Sequence, residues 1–177
     1  MNWEVNILDN IQHIRSDVLD GFMIFISSLG NSGAIWILLS IILLIKYRKI
    51  GLTCTLSLII MQISGNIFLK NIINRVRPYI EYNVDILIKA PYGSSFPSGH
   101  TFSSFAVATA IFMWNKKWGI YAYILAVLIG FSRLYLYVHY PSDVAAGAVL
   151  GVGVGVLSYI AVNYFYKYFK NMLRYNR

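Results

Sequence analysis

Charged side chains are scarce in this sequence. They make up 12% of its 177 residues and hydrophobic ones 58%, against roughly 25% charged in soluble globular domains. That balance excludes an ordinary soluble domain and indicates a membrane protein of one domain's length, residues 1–177. Acidic residues are the scarcest, with seven in all. Besides Asp143 they are Glu4, Asp9, Asp17, Asp20, Glu81 and Asp85, which form no ligand set at recognisable spacing, so no dedicated metal site is expected. The single cysteine, Cys54, lies within an apolar run, which excludes an internal disulfide and makes it a packing residue. The opening MNWEVNILDN has no basic stretch before its first apolar run, which argues against a cleaved signal peptide. Residues 1–21 are expected to form an amphipathic or half-inserted segment.

What the sequence does have is apolar runs. Residues 50–69 and 144–166 are uncharged and of a length, about 20 residues, that crosses a bilayer. Residues 101–115 and 118–138 are also apolar, the second broken only by Arg133. Residues 22–45 are interrupted by GNSG at 30–33, as one bent span or as a short helix followed by a span. The expected fold is all-α, a polytopic membrane helical bundle of five to six transmembrane helices.

The net charge of +8 is a matter of placement. Lys46, Arg48 and Lys49, then Lys116 and Lys117, then Lys167, Lys170, Arg174 and Arg177 mark alternate span ends, which the positive-inside bias puts in the cytoplasm. Trp3, Trp114, Trp118, Tyr164, Tyr166 and Tyr168 fall near span ends, as an interfacial aromatic belt does. No basic stripe is left over for nucleic acid. His13, in the N-terminal segment, reads as a surface residue.

Three polar islands then share the outward side. The first is KNIINRVRP, Lys70 to Pro78. If the helix continues, Lys70, Asn74 and Arg77 share a face that Gln62 and Asn66 extend inward. The bland alternative is interhelical hydrogen bonding for Gln62 and Asn66 and snorkelling for the two cations. The second is SSFPSGHTFSS at 94–104, where Pro97, Ser98 and Gly99 make a turn before an apolar helix. Such a helix start offers unpaired N–H groups to an anion, or is simply a cap with an incidental histidine, His100. The third is SRLYLYVHYPSD at 132–143. Pro141 suits a first helical turn, and the four-residue separation lets Asp143 accept the N–H of one nitrogen of His139, leaving the other unprotonated. Arg133 suits two oxygens of a phosphate. The alternative is an interfacial Arg–Asp pair beside a bystander histidine.

Taken together, Lys70-x6-Arg77-Pro78, Pro97-Ser98-Gly99-His100 and Ser132-Arg133-x5-His139-x3-Asp143 resemble the three signature motifs of the type-2 phosphatidic acid phosphatase superfamily, in order and in spacing, over residues 50–150. The resemblance implies a helical bundle shared with the vanadium haloperoxidases that binds phosphate with no metal ion or cofactor. It implies His139 as a nucleophile forming a phosphohistidine, Asp143 as its orienting partner and His100 as the acid for the leaving oxygen. Lys70, Arg77, Ser98, Gly99 and Arg133 would hold the phosphoryl oxygens. The partners so implied are a lipid phosphate, of the phosphatidic acid, phosphatidylglycerol phosphate or undecaprenyl diphosphate type, and membrane lipids. The expected setting is a bacterial cell membrane with the site facing outward. A lipid-to-lipid phosphotransferase uses the same residues. A haloperoxidase is disfavoured by the apolar spans, and a transporter by the absence of ionisable groups at mid-span. Gly147, Gly151 and Gly155 make a small-residue face that serves either a neighbour within the bundle or another protomer; the first is expected.

Overall fold

Ser98 starts the helix on which the rest of the bundle packs. In a computed structural model that describes residues 3–175, apart from the side chains of Asn66, Phe169, Lys170 and residues 172–175, every regular element is helical. Lys170 and Arg174 of the basic tail, and Arg177 beyond it, therefore lie outside the described side chains, as does the inward polar stripe at Asn66. A short α1 (Trp3–Gln12) is followed by α2 (Asp17–Leu29) and α3 (Ala34–Lys46). Next come α4 (Arg48–Met61), a π-helical stretch Gln62–Leu69, and two single turns, α5 (Lys70–Ile73) and α6 (Pro78–Glu81). The chain closes with α7 (Gly99–Trp114), α8 (Lys116–Tyr135) and α9 (Pro141–Tyr175).

The GNSG break is a bend: α2 and α3 meet at 46° across a tight 3-10 turn in which Ser32 and Gly33 take left-handed φ of 52° and 69°. By length and composition, Arg48–Glu81, Lys116–Tyr135 and Pro141–Tyr168 are each fit to cross a membrane, and the bent α2–α3 pair brings that number to four. The expected five to six is not reached on this measure. At 16 residues α7 rises only about 24 Å, and α1, at 10 residues, is shorter still.

α7 lies at the centre, buried along most of its length and packed most extensively on α9 and α8. The glycine face of α9 makes the first of these contacts possible. A Cβ on Gly147 would stand 2.8 Å from the Ser98 carbonyl oxygen, one on Gly151 2.8 Å from that of Phe102, and one on Gly155 2.7 Å from that of Ala106. The small residues thus bring α9 against α7 within one chain, as expected. On the other side of α7, Trp36 of α3 is fully buried and its indole N–H donates to Ser104 Oγ at 2.8 Å, which removes the cost of burying that donor.

The basic turns gather at one end. Tyr47 of the α3–α4 turn meets Trp118 of α8 at 4.9 Å between ring centroids, and Lys49 Nζ lies over the rings of Trp114 and Tyr166 at 5.6 and 5.1 Å. The three polar islands lie at the other.

Candidate active site

The polar end joins segments that are distant in sequence: residues 74–77, the loop 93–96, the start of α7, and the turn 136–140 into α9. Tyrosines anchor that last turn. Tyr135 donates to Asp20 of α2 at 2.5 Å, Tyr137 to Asp9 of α1 at 2.7 Å and Tyr140 to Glu81 of α6 at 2.6 Å. Tyr137 has a φ of 58°, so the chain reverses sharply there and carries His139 inward.

His139 is 2% exposed. Its Nε2 lies 3.2 Å from Arg77 Nη1. A guanidinium only donates, so Nε2 holds a lone pair and Nδ1 the proton. Nδ1 faces Asp143 Oδ2 at 3.6 Å and Ser95 Oγ at 3.4 Å. Burial pushes the imidazole down to about 3; Asp143 opposes this, and the charges of Arg77 and Arg133 add to it. The buried ring is therefore neutral at neutral pH, with its free nitrogen turned away from the carboxylate.

Asp143 is not committed to His139 alone, as the sequence suggests. Its Oδ2 also accepts from the Ser95 hydroxyl at 2.5 Å and the Tyr140 N–H at 2.9 Å, while Oδ1 accepts from Arg75 Nη1 at 2.8 Å. α9 begins at Pro141, which places His139 just before the helix and Asp143 in its first turn, as expected.

The continuous polar face over Lys70, Asn74 and Arg77 does not form. Asn74 takes a left-handed φ of 40° and ends α5, and Pro78 opens α6. Arg77 is instead drawn inward to 3% exposure. Its Nε donates to the Gly93 carbonyl at 3.0 Å, Nη1 to that of Val138 at 3.0 Å, and Nη2 to those of Tyr92 and Ser94, both at 3.2 Å. With His139 added, every N–H of this guanidinium has a partner, and the side chain braces the 92–94 loop.

Arg133 is the opposite case. At 2% exposure its Nη1 donates to Ser27 Oγ, but its buried Nε has no hydrogen-bond partner among the described residues. An oxygen of an anion satisfies such a group, and leaving it unmet is costly. Ser98 caps α7 by accepting from Thr101, and its own N–H is taken by the Asp143 carbonyl at 3.1 Å. What Ser98 has left for an anion is its hydroxyl proton, beside the N–H groups of Gly99 and His100, which as first-turn donors have no carbonyl within the helix. His100 Nε2 pairs with Asn31 Oδ1 at 3.1 Å. His100 also lies within electrostatic reach of Arg133, His139, Lys70 and Arg77.

Lys70, Gly99 and His100 border a cavity of about 800 Å³ that runs between α3, α4 and α7, with Ile37, Ile41, Leu44, Leu58 and Ile59 along its walls. From Gly33 to Leu44 it follows about 17 Å of helix. Among the described residues no group of three or more His, Cys, Asp or Glu side chains is placed to hold a metal ion.

The structure thus brings His139, Asp143, His100, Lys70, Arg77, Arg133, Ser98 and Gly99 to one end of the bundle. Sequence reasoning missed Arg75, Ser95, Glu4, Ser27 and Asn31. Arg75 and Ser95 lie inside the polar islands and were open to notice. Glu4 and Ser27 carry no local signal, because only packing takes them to the site.

Comparison with known proteins agrees with this architecture. The family model of the PAP2 superfamily matches residues 46–167. An undecaprenyl-diphosphatase of Sulfolobus acidocaldarius is 33% identical over 162 residues, 89% of this chain and 78% of that protein. The crystal structure of LpxE from Aquifex aeolicus superposes with a TM-score of 0.74 at 31% identity, covering 89% of this chain and 95% of that one. The PAP2 type phosphatidylglycerolphosphate phosphatase of Bacillus subtilis gives 0.72 at 30% identity, over 86% and 81%. A match that runs from the α3–α4 turn well into α9, and takes in Lys70, Arg75, Arg77, His100, Arg133 and His139, makes this chain a member of the PAP2 superfamily.

Proposed function

We propose that this membrane lipid phosphatase acts through a phosphorylated His139, without a metal ion, and that its substrate is a prenyl diphosphate. The observation that carries the reading is the apolar cavity that ends on Lys70, Gly99 and His100. A lipid chain lying along α3 and α4 brings its phosphate to the cations at the mouth. Undecaprenyl-diphosphatases recur among the relatives, one in Sulfolobus acidocaldarius and one in Bacillus subtilis, at 33% and 32% identity over 89% of this chain, which supports a prenyl diphosphate.

In this reading Lys70, the orphaned Nε of Arg133 and the first N–H groups of α7 take the phosphoryl oxygens. Arg77 supplies charge and exchanges its bond to His139 Nε2 for one to an incoming oxygen. Nε2 attacks phosphorus, the bond from phosphorus to the leaving oxygen breaks, and His100 protonates that oxygen. Asp143 holds the Nδ1 proton of the imidazolium that forms. Water then attacks the phosphohistidine, giving up a proton to His100, and inorganic phosphate leaves. Phosphoryl transfer demands positioning and charge neutralisation above all, which fixed cations and helix ends can supply.

The test is phosphate release by detergent-purified protein from undecaprenyl diphosphate, phosphatidic acid and phosphatidylglycerol phosphate, with and without chelator. Release is expected to survive chelation, to be fastest on the prenyl diphosphate, and to be inhibited by vanadate as an analogue of the five-coordinate transition state. Loss in chelator that Mg²⁺ restores would overturn the metal-free mechanism, and faster release from the glycerophospholipids would overturn the substrate class. The outward orientation is tested by cysteines at Tyr92 and Lys117, both exposed, in a background without Cys54. In intact cells an impermeant thiol reagent is expected to label position 92 and not 117; the reverse pattern inverts the topology.

A further inference from the structure

The amphipathic helix α1 reaches the partners of Asp143 through Glu4. Glu4 is 6% exposed although it lies in the first turn of its helix. Its Oε2 pairs with Arg75 Nη2 at 2.6 Å, and its Oε1 accepts from the Ser142 hydroxyl at 2.6 Å and the Ser142 N–H at 3.1 Å. Arg75 then spans two carboxylates. Its other nitrogen, Nη1, donates to Asp143 Oδ1 at 2.8 Å and to Ser142 Oγ at 2.7 Å, and its guanidinium stacks 3.8 Å above the ring of Tyr140. The backbone of Arg75 is tied down as well: its N–H donates to Ser94 Oγ at 2.9 Å and its carbonyl accepts from the Ser95 N–H at 2.8 Å.

We propose that Glu4 and Arg75 form a positioning pair for the Asp143–His139 dyad: Glu4 fixes the guanidinium of Arg75, and Arg75 fixes the rotation of the Asp143 carboxylate. The division of that carboxylate carries the proposal. Arg75 holds Oδ1, so that Oδ2 is turned to Ser95, the Tyr140 N–H and His139 Nδ1. Without Arg75 the carboxylate keeps its charge and loses the partner that selects which oxygen meets the imidazole. A planar fork suits this task because it engages two carboxylates at fixed angles, which an ammonium does not.

The charge of Arg75 also bears on His139. The groups facing that imidazole are Asp143 of α9, Ser95 of the loop, Arg77 from the segment before α6, Arg133 of α8 and His100 of α7. Removing Arg75 takes a cation from the far side of Asp143 and leaves that carboxylate more available to an imidazolium. The protonated form of His139 gains, so the nucleophile is freed only at higher pH.

The proposal rests on the reading of His139 as nucleophile, and a double-mutant cycle tests it separately. The measurements are kcat, KM and the pH profile of full-length protein on undecaprenyl diphosphate, with thermal stability followed alongside. Arg75→Gln is expected to lower kcat by about tenfold to a hundredfold, the worth of a hydrogen bond to a charged group, to leave KM nearly unchanged, and to move the acid limb to higher pH. Arg75→Lys is expected to restore the pH limb and only part of kcat. Glu4→Gln is expected to lower kcat by a smaller factor, and to have no further effect once Arg75 is Gln. Multiplying effects of the two changes, or a loss confined to thermal stability with kcat and the pH profile intact, would overturn the pair. Full turnover by His139→Ala would defeat the nucleophile reading instead, and the cycle would still report whether Glu4 acts through Arg75.

Discussion

The two ends of this bundle hold positive charge in opposite ways. At the basic end Lys46, Arg48, Lys49, Lys116 and Lys117 are all exposed, and Lys49 and Lys116 lie over aromatic faces. At the other end Arg77 and Arg133 are 3% and 2% exposed, beside a buried histidine and a fully buried aspartate. Hydrated lysines cost little and serve as anchors. A buried charge carries a penalty of several kcal/mol unless partners offset it. The two arginines refine the contrast. Arg77 has a full set of partners and shapes the loop, whereas the buried Nε of Arg133 has no hydrogen-bond partner among the described residues.

The comparison breaks if loss of charge at the exposed end matters as much as loss of a group at the buried end. The largest effect is expected from His139→Ala, which should abolish turnover on lipid and activated substrates alike and form no acid-labile phosphoenzyme under rapid quench. His100→Ala should cost about 10² to 10⁴ on a lipid phosphate monoester such as phosphatidic acid, whose alkoxide leaving group needs a proton, the usual worth of a general acid, and much less on a nitrophenyl phosphate, whose leaving group needs none. If His139→Ala is the variant rescued by that substrate, the two histidines exchange roles.

A subtler expectation concerns pH. Because His139 is held down to about 3, its imidazole is neutral above that value and acidification from neutrality leaves the nucleophile free. The acid limb of kcat/KM, corrected for ionisation of the substrate phosphate, should therefore lie below the ordinary histidine value of about 6.5. A limb at that value would mean that His139 titrates as if in water.

Packing sharpens the contrast further. Gly151→Ala places a Cβ 2.7 Å from Phe105 Cβ and 2.8 Å from the Phe102 carbonyl oxygen. Overpacking of that kind typically costs about 1–3 kcal/mol, to be read as a lowered Tm in detergent. The smallest effect is expected at the exposed end, where Lys116→Gln and Lys117→Gln should stay within about 0.5 kcal/mol in stability and leave kcat unchanged.

Much of this was legible in the chain. Apolar runs separated by charged turns signal a helical membrane protein because a bilayer leaves the backbone few other ways to satisfy its hydrogen bonds. Local spacing located Ser98 at a helix start and Pro141 at another, since caps and first-turn prolines depend on near neighbours alone. The glycine steps in α9 foretold a close helix contact, and α7 proved to be its partner. Spacing misled at Lys70, Asn74 and Arg77, because helical periodicity assumes an unbroken helix and Asn74 turns the chain out of it.

The sequence by itself determined the helical class, the asymmetry of charge between the two ends and the three polar islands that meet at one of them, since each depends on composition or on spacings of a few residues. Only the tertiary structure decided that Arg77 is fully engaged while Arg133 is not, that Asp143 answers to Arg75 as well as to His139, and that Glu4 belongs with them. The reason is physical: a guanidinium or carboxylate takes its role from the partners that burial brings within about 3 Å, and Glu4 and Arg75 are 71 residues apart in the chain.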